Sequence, residues 1–477
     1  MKALFTFIII VCVSAGEIFT TQAQPGSLDF TFDPGTGPSD FIKTSAIQTD
    51  GKIIIGGQFL IYNGTPANFV TRVKDDGTLD TSFHSGSGAD YLVLTSALQN
   101  NGQIIIGGAF GHYDGVAKPS IARLNDNGTL DNNFDPGTGA DGYLYASAVQ
   151  SNGKILIGGG FFLYNGVPRN GIARLNTDGS LDPTFTPGMG TTTSGLNYPV
   201  YTIAIQTDGK IIIGGTFTTY NDTAENYITR LNTDGSIDTS FHIGTGPTSA
   251  IRTMCLQPDG KIIIAGDFDS CDGTARNYIA RLNADGTVDT DFDPGTGTDG
   301  IVYTTALQTD GKIIIGGSFN TFNDSARKCI ARVNTDGSLD QSFYPGAGAN
   351  SHVYTSALQN DGKIIIGGVF NSYDNTGRNH IARVIGGGTA GIENVVEENN
   401  SIRIFPNPFA SSAILQMDAQ LKDADVIISN MLGKEMRRNK LTGNGILLIE
   451  KGNLESGIYF VNVTANGKQY VRKVIIE

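Results

Sequence analysis

Along residues 24–388 the apolar positions come in short runs that alternate with polar turns. They do not fall at helical spacing, so the predicted elements are β-strands. One unit shows the pattern. An alternating run, Val200 to Gln206, meets the turn Thr207-Asp208-Gly209, and a solid apolar run, Ile211 to Ile213, follows and ends in Gly214-Gly215. After a loop come Tyr227 to Asn232, a second turn Thr233-Asp234-Gly235, and Ser236 to Phe241. These are four short strands, a to d, with Asp-Gly joining a to b and c to d. Each turn holds either two residues (type I′) or three (type I followed by a glycine bulge). Strand b, apolar on both faces, suits a strand packed between neighbouring sheets. The glycines after it relieve crowding or mark a bulge.

The unit recurs seven times, starting at Gln48, Gln99, Gln150, Gln206, Gln257, Gln308 and Gln359, with spacings of 51, 51, 56, 51, 51 and 51 residues. A fixed period in this range marks a repeat architecture, and seven four-stranded units without helices match a propeller. The chain ends support ring closure. Gly26 to Gly37 reads as a strand d and its following loop, whereas the seventh unit stops at Val384 without one. The fold class expected is all-β: a seven-bladed β-propeller of four-stranded blades, followed by a small C-terminal β-sandwich of Ig-like type.

Four segments follow: a signal peptide over 1–23, the propeller over 24–388, a Gly-rich then acidic flexible linker over 389–401, and a C-terminal domain over 402–477. Residues 1–23 combine Lys2, the apolar run Leu4 to Ala15 and the small-residue end Thr21-Gln22-Ala23. That run is too short to span a bilayer, and no later run reaches about 18 apolar residues, so no transmembrane span is expected. The net charge of −13 falls wholly on 24–388, because residues 389–477 balance ten Lys/Arg against ten Asp/Glu. An acidic propeller repels phosphate backbones, which excludes nucleic acid as a partner. Beyond the leader's Cys12 there are three cysteines, Cys255, Cys271 and Cys329. An odd number does not make a disulfide framework.

The run Asp-Gly-Ser-Leu-Asp-x-x-Phe-x-Pro-Gly-x-Gly, followed by Ala-Leu-Gln-x-Asp-Gly-Lys-Ile-Ile-Ile-Gly-Gly, resembles the bacterial delta-sixty repeat, which implies a propeller without a uniform activity. Residues 402–477 resemble the type A C-terminal sorting domain of the type IX secretion system. The matching residues are Pro406, Asn407 and Pro408 after Phe405, Gly433 in Asn430-x-Leu432-Gly433-Lys434, Gly457 and Tyr459 in Leu454-x-Ser456-Gly457-Ile458-Tyr459, and Lys473 in the last strand. This resemblance implies the type IX machinery and its sortase as partners and a Gram-negative source. It also implies Sec export, transfer across the outer membrane, and a tail that is cleaved while the cargo is released or attached to surface lipopolysaccharide.

Candidate chemistry is sparse. The Asn176 to Asp182 turn has the oxygen-bearing side chains of a calcium loop but lacks the bidentate Glu such a loop needs. Structural calcium is therefore unsupported, and neither a cofactor nor a catalytic residue is assigned. An Arg ends every strand c and an Asp opens every strand d; with a three-residue turn the two face each other as a charge-assisted pair. On the b–c and d–a loops, opposite the Asp-Gly turns, a possible ligand face holds Lys118, Arg169, Arg276, Arg327 and Arg378 with Tyr164 and Tyr220. Ala67 and Glu225 take the cation's place in units one and four. The 188–199 loop, with five extra residues, breaks the symmetry there.

The function expected is a secreted, cell-surface-attached, monomeric propeller acting as a binding module for an extracellular polysaccharide or surface protein, without enzyme activity. The alternatives are a polysaccharide-acting enzyme and a structural adhesion component. A buried carboxylate pair on the loop face would favour the enzyme, an aromatic concavity the binder, and a flat polar face the structural role.

Overall fold

The computed structural model describes residues 24–192, 199–387, 402–417, 424–430, 435–441, 445–465 and 468–476. The leader, the 389–401 linker and Gly433 lie outside these residues, as do residues 193–198 of the enlarged 188–199 loop. The chain divides into two compact units, residues 1–389 and 390–477.

The first unit is a seven-bladed ring. Blade 1 contains strand a (Ile42–Ile47), strand b (Ile53–Gly57) and strand c (Val70–Val73), antiparallel in that order. The same three recur in every blade, the last being Val353–Leu358, Ile364–Gly368 and Ile381–Val384. Strand b is buried on both faces, and its alternation sorts it between two interfaces. Ile54 packs with blade 2, whereas Ile53 and Ile55 pack with blade 7. Each such side chain contributes about 1.5–3 kcal/mol relative to exposure.

Both turns hold three residues. Gln48 and Lys52 pair across Thr49-Asp50-Gly51, as Lys74 and Thr78 pair across Asp75-Asp76-Gly77. The glycines sit at φ +85° and +88°, where a side chain would strain the backbone.

The fourth strand is present in reduced form, as one bridge per blade, such as Val73 with Leu79, and a hydrogen bond from Asp80 N–H to Arg72 C=O. It ends there for a local reason. Asp80 Oδ1 accepts the Ser82 N–H at 3.1 Å, an Asx turn that bends the chain away, and His84 N–H then donates to Asn127 C=O in the next blade's c–d turn. The segment after strand d is thus a strap on its neighbour. In blade 7 the missing strand comes from the other end of the chain: Leu28 bridges Val384 and Asp29 N–H donates to Arg383 C=O. The ring closes with no free edge at that seam.

The facing Arg and Asp form an ion pair in all seven blades. Nε–Oδ2 distances include 2.7 Å for Arg72–Asp80, 2.6 Å for Arg230–Asp238 and 2.7 Å for Arg383–Asp29, all buried. The other end of each guanidinium reaches forward, Arg72 to Asp126 C=O and Arg383 to Asp75 C=O, both at 2.6 Å. Its plane covers a Phe, with Arg230 4.8 Å from the Phe241 centroid. Lys154, Lys210, Lys261 and Lys312 add a second cation to the same carboxylates at 2.7–2.8 Å. Burial opposes the charge on these aspartates, but hydrogen bonds from the following residues and from the cations outweigh it, so all seven pKa values lie below the ordinary range.

The second unit has two antiparallel sheets. Ile402–Phe405, Ser412–Met417 and Ile446–Glu450 form one. The other runs Glu435–Leu441, Ala424–Asn430, Gly457–Ala465, Lys468–Ile476. Leu415 and Ile449 from the first share one core with Val426, Val461 and Val474 from the second, which makes a sandwich. The Pro406-Asn407-Pro408 stretch lies against the last strand, where Asn407 Oδ1 accepts the Ile475 N–H at 2.8 Å and Phe409 N–H donates to Ile475 C=O. Buried Tyr459 donates its hydroxyl to Glu455 C=O. Lys473 pairs with Phe460 across the last two strands.

Two predictions follow from the propeller. Asp238→Ala leaves Arg230 buried without its carboxylate and should cost about 3–5 kcal/mol, read by denaturant unfolding of the full chain; a loss below 1 kcal/mol would mean the pair is solvated. The aspartates' folded pKa values lie below the unfolded value, so their stabilisation is complete above about pH 5 and is lost as pH falls through the unfolded and then the folded values. The thermal midpoint should therefore drop between about pH 5 and pH 1, and a flat profile would contradict the clamp.

Candidate functional site

Hydroxyls on adjacent strands a meet blade to blade, as in Thr44–Ser96 at 2.8 Å, Thr304–Ser356 at 2.9 Å and, across the seam, Ser45–Thr355 at 2.9 Å. Strands a are therefore the innermost layer, around the axis. The belt lapses where Ala146, Ile203 and Met254 replace hydroxyl residues; Ile203 and Met254 instead lie against Gly158 and Gly214 of the preceding blades.

Every strand a carries a β-bulge near its start. Pairing with strand b skips from Ile42 to Thr44 in blade 1 and from Val353 to Thr355 in blade 7, with the same skip in the five blades between. A glycine near the end of strand b makes room, the second of a Gly-Gly in most blades and Gly266 after Ala265 in blade 5. A Cβ on Gly57 would lie 2.1 Å from Phe41 C=O, and one on Gly317 2.1 Å from Ile301 C=O. A bulge leaves its residue unpaired and re-aims its side chain. The seven bulged residues are Lys43, Leu94, Tyr145, Tyr201, Arg252, Tyr303 and Tyr354, all half-buried. They lie near the start of each strand, at the end away from the Asp-Gly turns, and form a ring at the mouth of the channel.

The ring's side chains touch one another. Tyr145 and Tyr201 meet edge to face at 5.2 Å between centroids, and Tyr303 and Tyr354 at 5.1 Å. Arg252 lies 4.5 Å from the Tyr201 centroid and binds Asp267 with two nitrogens, Nε at 2.9 Å and Nη2 at 2.6 Å. Lys43 Nζ sits 4.2 Å from the Tyr354 centroid and 5.6 Å from that of Tyr303. Burial and the charge of Arg252 push its pKa down to about 8. Phe41, Tyr143 and His352 extend the aromatic surface outward.

The residues singled out from sequence lie elsewhere. Tyr164 and Tyr220 are fully buried, and their hydroxyls donate to Gly179 C=O and Gly235 C=O of their own c–d turns, so they offer a ligand no surface. Lys118 is buried, with Nζ 2.6 Å from Phe134 C=O. Arg169, Arg276, Arg327 and Arg378 fold back along their hairpins, each donating Nη1 to the carbonyl of the preceding residue. In the turn considered for calcium, Asp178 Oδ1 accepts from Ser180 N–H and Oγ–H at 3.0 and 2.6 Å. Among the described residues no group of three or more His, Cys, Asp or Glu is gathered for a metal. The ring was missed although its signal was present: one strand-a position is Lys, Leu, Tyr or Arg while its neighbours repeat.

Family models match both units. One, described as a beta-propeller domain of unknown function (DUF5122), covers residues 48–83, 99–134, 150–185, 206–241, 257–292, 308–343 and 359–389. Another, a secretion system C-terminal sorting domain, covers 403–477. No curated protein matches the chain. Among solved structures, PorZ, a surface component of the type IX secretion system of Porphyromonas gingivalis, aligns with 92% of this chain at 13% identity and TM-score 0.44. The chain spans 60% of that protein's length. A putative gluconolactonase aligns with 64% of this chain and 94% of its own at 11% identity and TM-score 0.35. An exported protein of Bacteroides fragilis aligns with 61% of this chain and 89% of its own at 12% identity and TM-score 0.29. The repeats and the tail together settle the family: the chain belongs to the DUF5122 beta-propellers and carries the sorting domain that sends it through the type IX system to the cell surface or the medium.

Proposed function

We propose that the protein is an extracellular binding module whose ligand, a polysaccharide, meets the propeller at the channel mouth. The observation that carries this reading is the bulge ring. The scaffold repeats blade after blade, yet the seven side chains freed by the bulges are four tyrosines, a leucine and two different cations. A spacer needs no such variation at its axis. Tyrosines presenting half-exposed faces suit the apolar face of a sugar ring, and their hydroxyls suit its oxygens.

No ring position is a carboxylate, and Asp267 beside the ring is already held by Arg252. A glycosidase needs a pair of carboxyls about the scissile bond, so the geometry favours holding over cutting. A second break in symmetry supports a specific contact on the same face. The b–c hairpins of blades 1 to 3 expose Leu60, Ile61, Val116, Phe162 and Leu163, where blades 4 to 7 have Thr, Ser, Asp and Asn.

The test is incubation of the full chain with a panel of extracellular polysaccharides, scoring capture and polymer length. One polymer should be retained at unchanged length, and Tyr145→Ala with Tyr303→Ala should reduce retention about ten-fold or more. Capture unaffected by both substitutions would remove the ring from the account, and a shortened polymer would replace the binder with an enzyme.

A further inference from the structure

The ring contains one charge that the protein leaves unanswered. Arg252 has its carboxylate, Asp267. Lys43, among the described residues, has neither an ion pair nor a side-chain hydrogen bond; its ammonium is held by the faces of Tyr354 and Tyr303. A cation over ring faces is stabilised by the ring quadrupole, an interaction that leaves its N–H donors unspent. The positive field of Arg252 reaches Lys43 and disfavours its charge, and burial does so more strongly. The site therefore lacks an anion, within a domain whose surface is otherwise acidic.

The form of that anion follows from the donors present. Phosphate is best held by several forked donors, but the one guanidinium of the ring is already engaged. A single lysine is a point charge suited to a single negative charge. The phenol hydroxyls of Tyr145, Tyr303 and Tyr354 make no hydrogen bond within the protein among the described residues, so they are free for neutral oxygens around that charge. A carboxylate that draws the Lys43 ammonium off the rings leaves the flat apolar faces of Tyr303 and Tyr354 to a ring-shaped body.

We infer that the channel mouth binds a carboxylate carried on a six-membered sugar ring, the chemistry of a uronic acid, with Lys43 as its counter-ion and Tyr303 and Tyr354 as its stacking faces. This rests on the reading of the ring as a glycan site and adds the charge. A uronic acid residue presents one carboxylate on a body of hydroxyls and C–H faces, matching one cation, free phenols and aromatic planes. At the axis the seven bulges converge, so the residue enters end-on, as a free sugar or as the end of an acidic chain.

The experiment is calorimetric titration of the full chain with glucuronate, with glucose, acetate and inorganic phosphate as comparators and a glucuronate-ended oligosaccharide as a further arm. Glucuronate should bind at least about ten-fold more tightly than glucose or phosphate. Lys43→Met should weaken it about ten- to hundred-fold, and Lys43→Arg should restore part of the loss. Tyr303→Leu should weaken glucuronate more than acetate. A tighter oligosaccharide than monosaccharide assigns the chain end, and equal affinities assign the free sugar. Glucuronate binding unchanged in Lys43→Met overturns the inference. So does equal affinity for glucose that is lost in Tyr303→Leu, a result that leaves the ring a glycan site but a neutral one. No binding by any sugar overturns both readings. Melting temperatures of the variants separate loss of binding from loss of fold.

Discussion

Seven buried arginines hold the propeller together, and each serves two blades at once. One edge of the guanidinium is spent on the strand-d Asp of its own blade and the other on a carbonyl of the next, in the c–d turn or, for Arg332, at Gly386 after strand c of blade 7. The turn must have three residues, because two would shift the register and place another side chain opposite the Arg. Strand d must also stop at the Asp, because that side chain's second oxygen caps the chain as it bends toward its neighbour. Removing one partner strands a charge in a dry interface, so the clamp penalises partial structures. Since the last clamp, Arg383 with Asp29, joins the two ends of the propeller, the ring is either complete or missing a blade edge.

The clamps fix the outer half of each blade and the isoleucines of strand b fix its middle, which frees the inner strand to differ between blades. The glycine near the end of strand b converts this freedom into a site. It lets a carbonyl of strand a approach within a distance that any Cβ would block, and the resulting bulge lifts one side chain out of the ladder. Scaffold and recognition are thus encoded at separate positions of the same repeat. Apolar exchanges such as Ala146 opposite Ile203 show the inner strand tolerating substitution where a hydroxyl pair is dispensable.

Much of this was legible in the sequence. The period, the Asp-Gly hairpins, the doubly buried strand b, the Arg–Asp pairs and the completion of blade 7 by residues near Leu28 all rest on local chemistry that repeats, and repetition makes it readable. The shortened strand d was not, because Ser-Leu-Asp-x-x-Phe fits a strand until the Asx turn is seen. Tyr164 and Tyr220 looked available on a loop, but an aromatic with a carbonyl in reach of its hydroxyl is more stable inside. The bulge ring escaped notice because an unpaired position breaks the alternation of period two, and its variety reads as noise along the chain. In the sorting domain the short motifs were legible, since Pro406 to Pro408 and Tyr459 sit where backbone partners fix them.

The most direct measurement is a crystal structure of the full chain grown with a glucuronate-ended oligosaccharide. Difference density for a sugar ring against Tyr303 and Tyr354, with its carboxylate within hydrogen-bond distance of Lys43 Nζ, is the result this account predicts. Density at the Asp-Gly turns or along the outer strands, with the channel mouth unchanged, would contradict it.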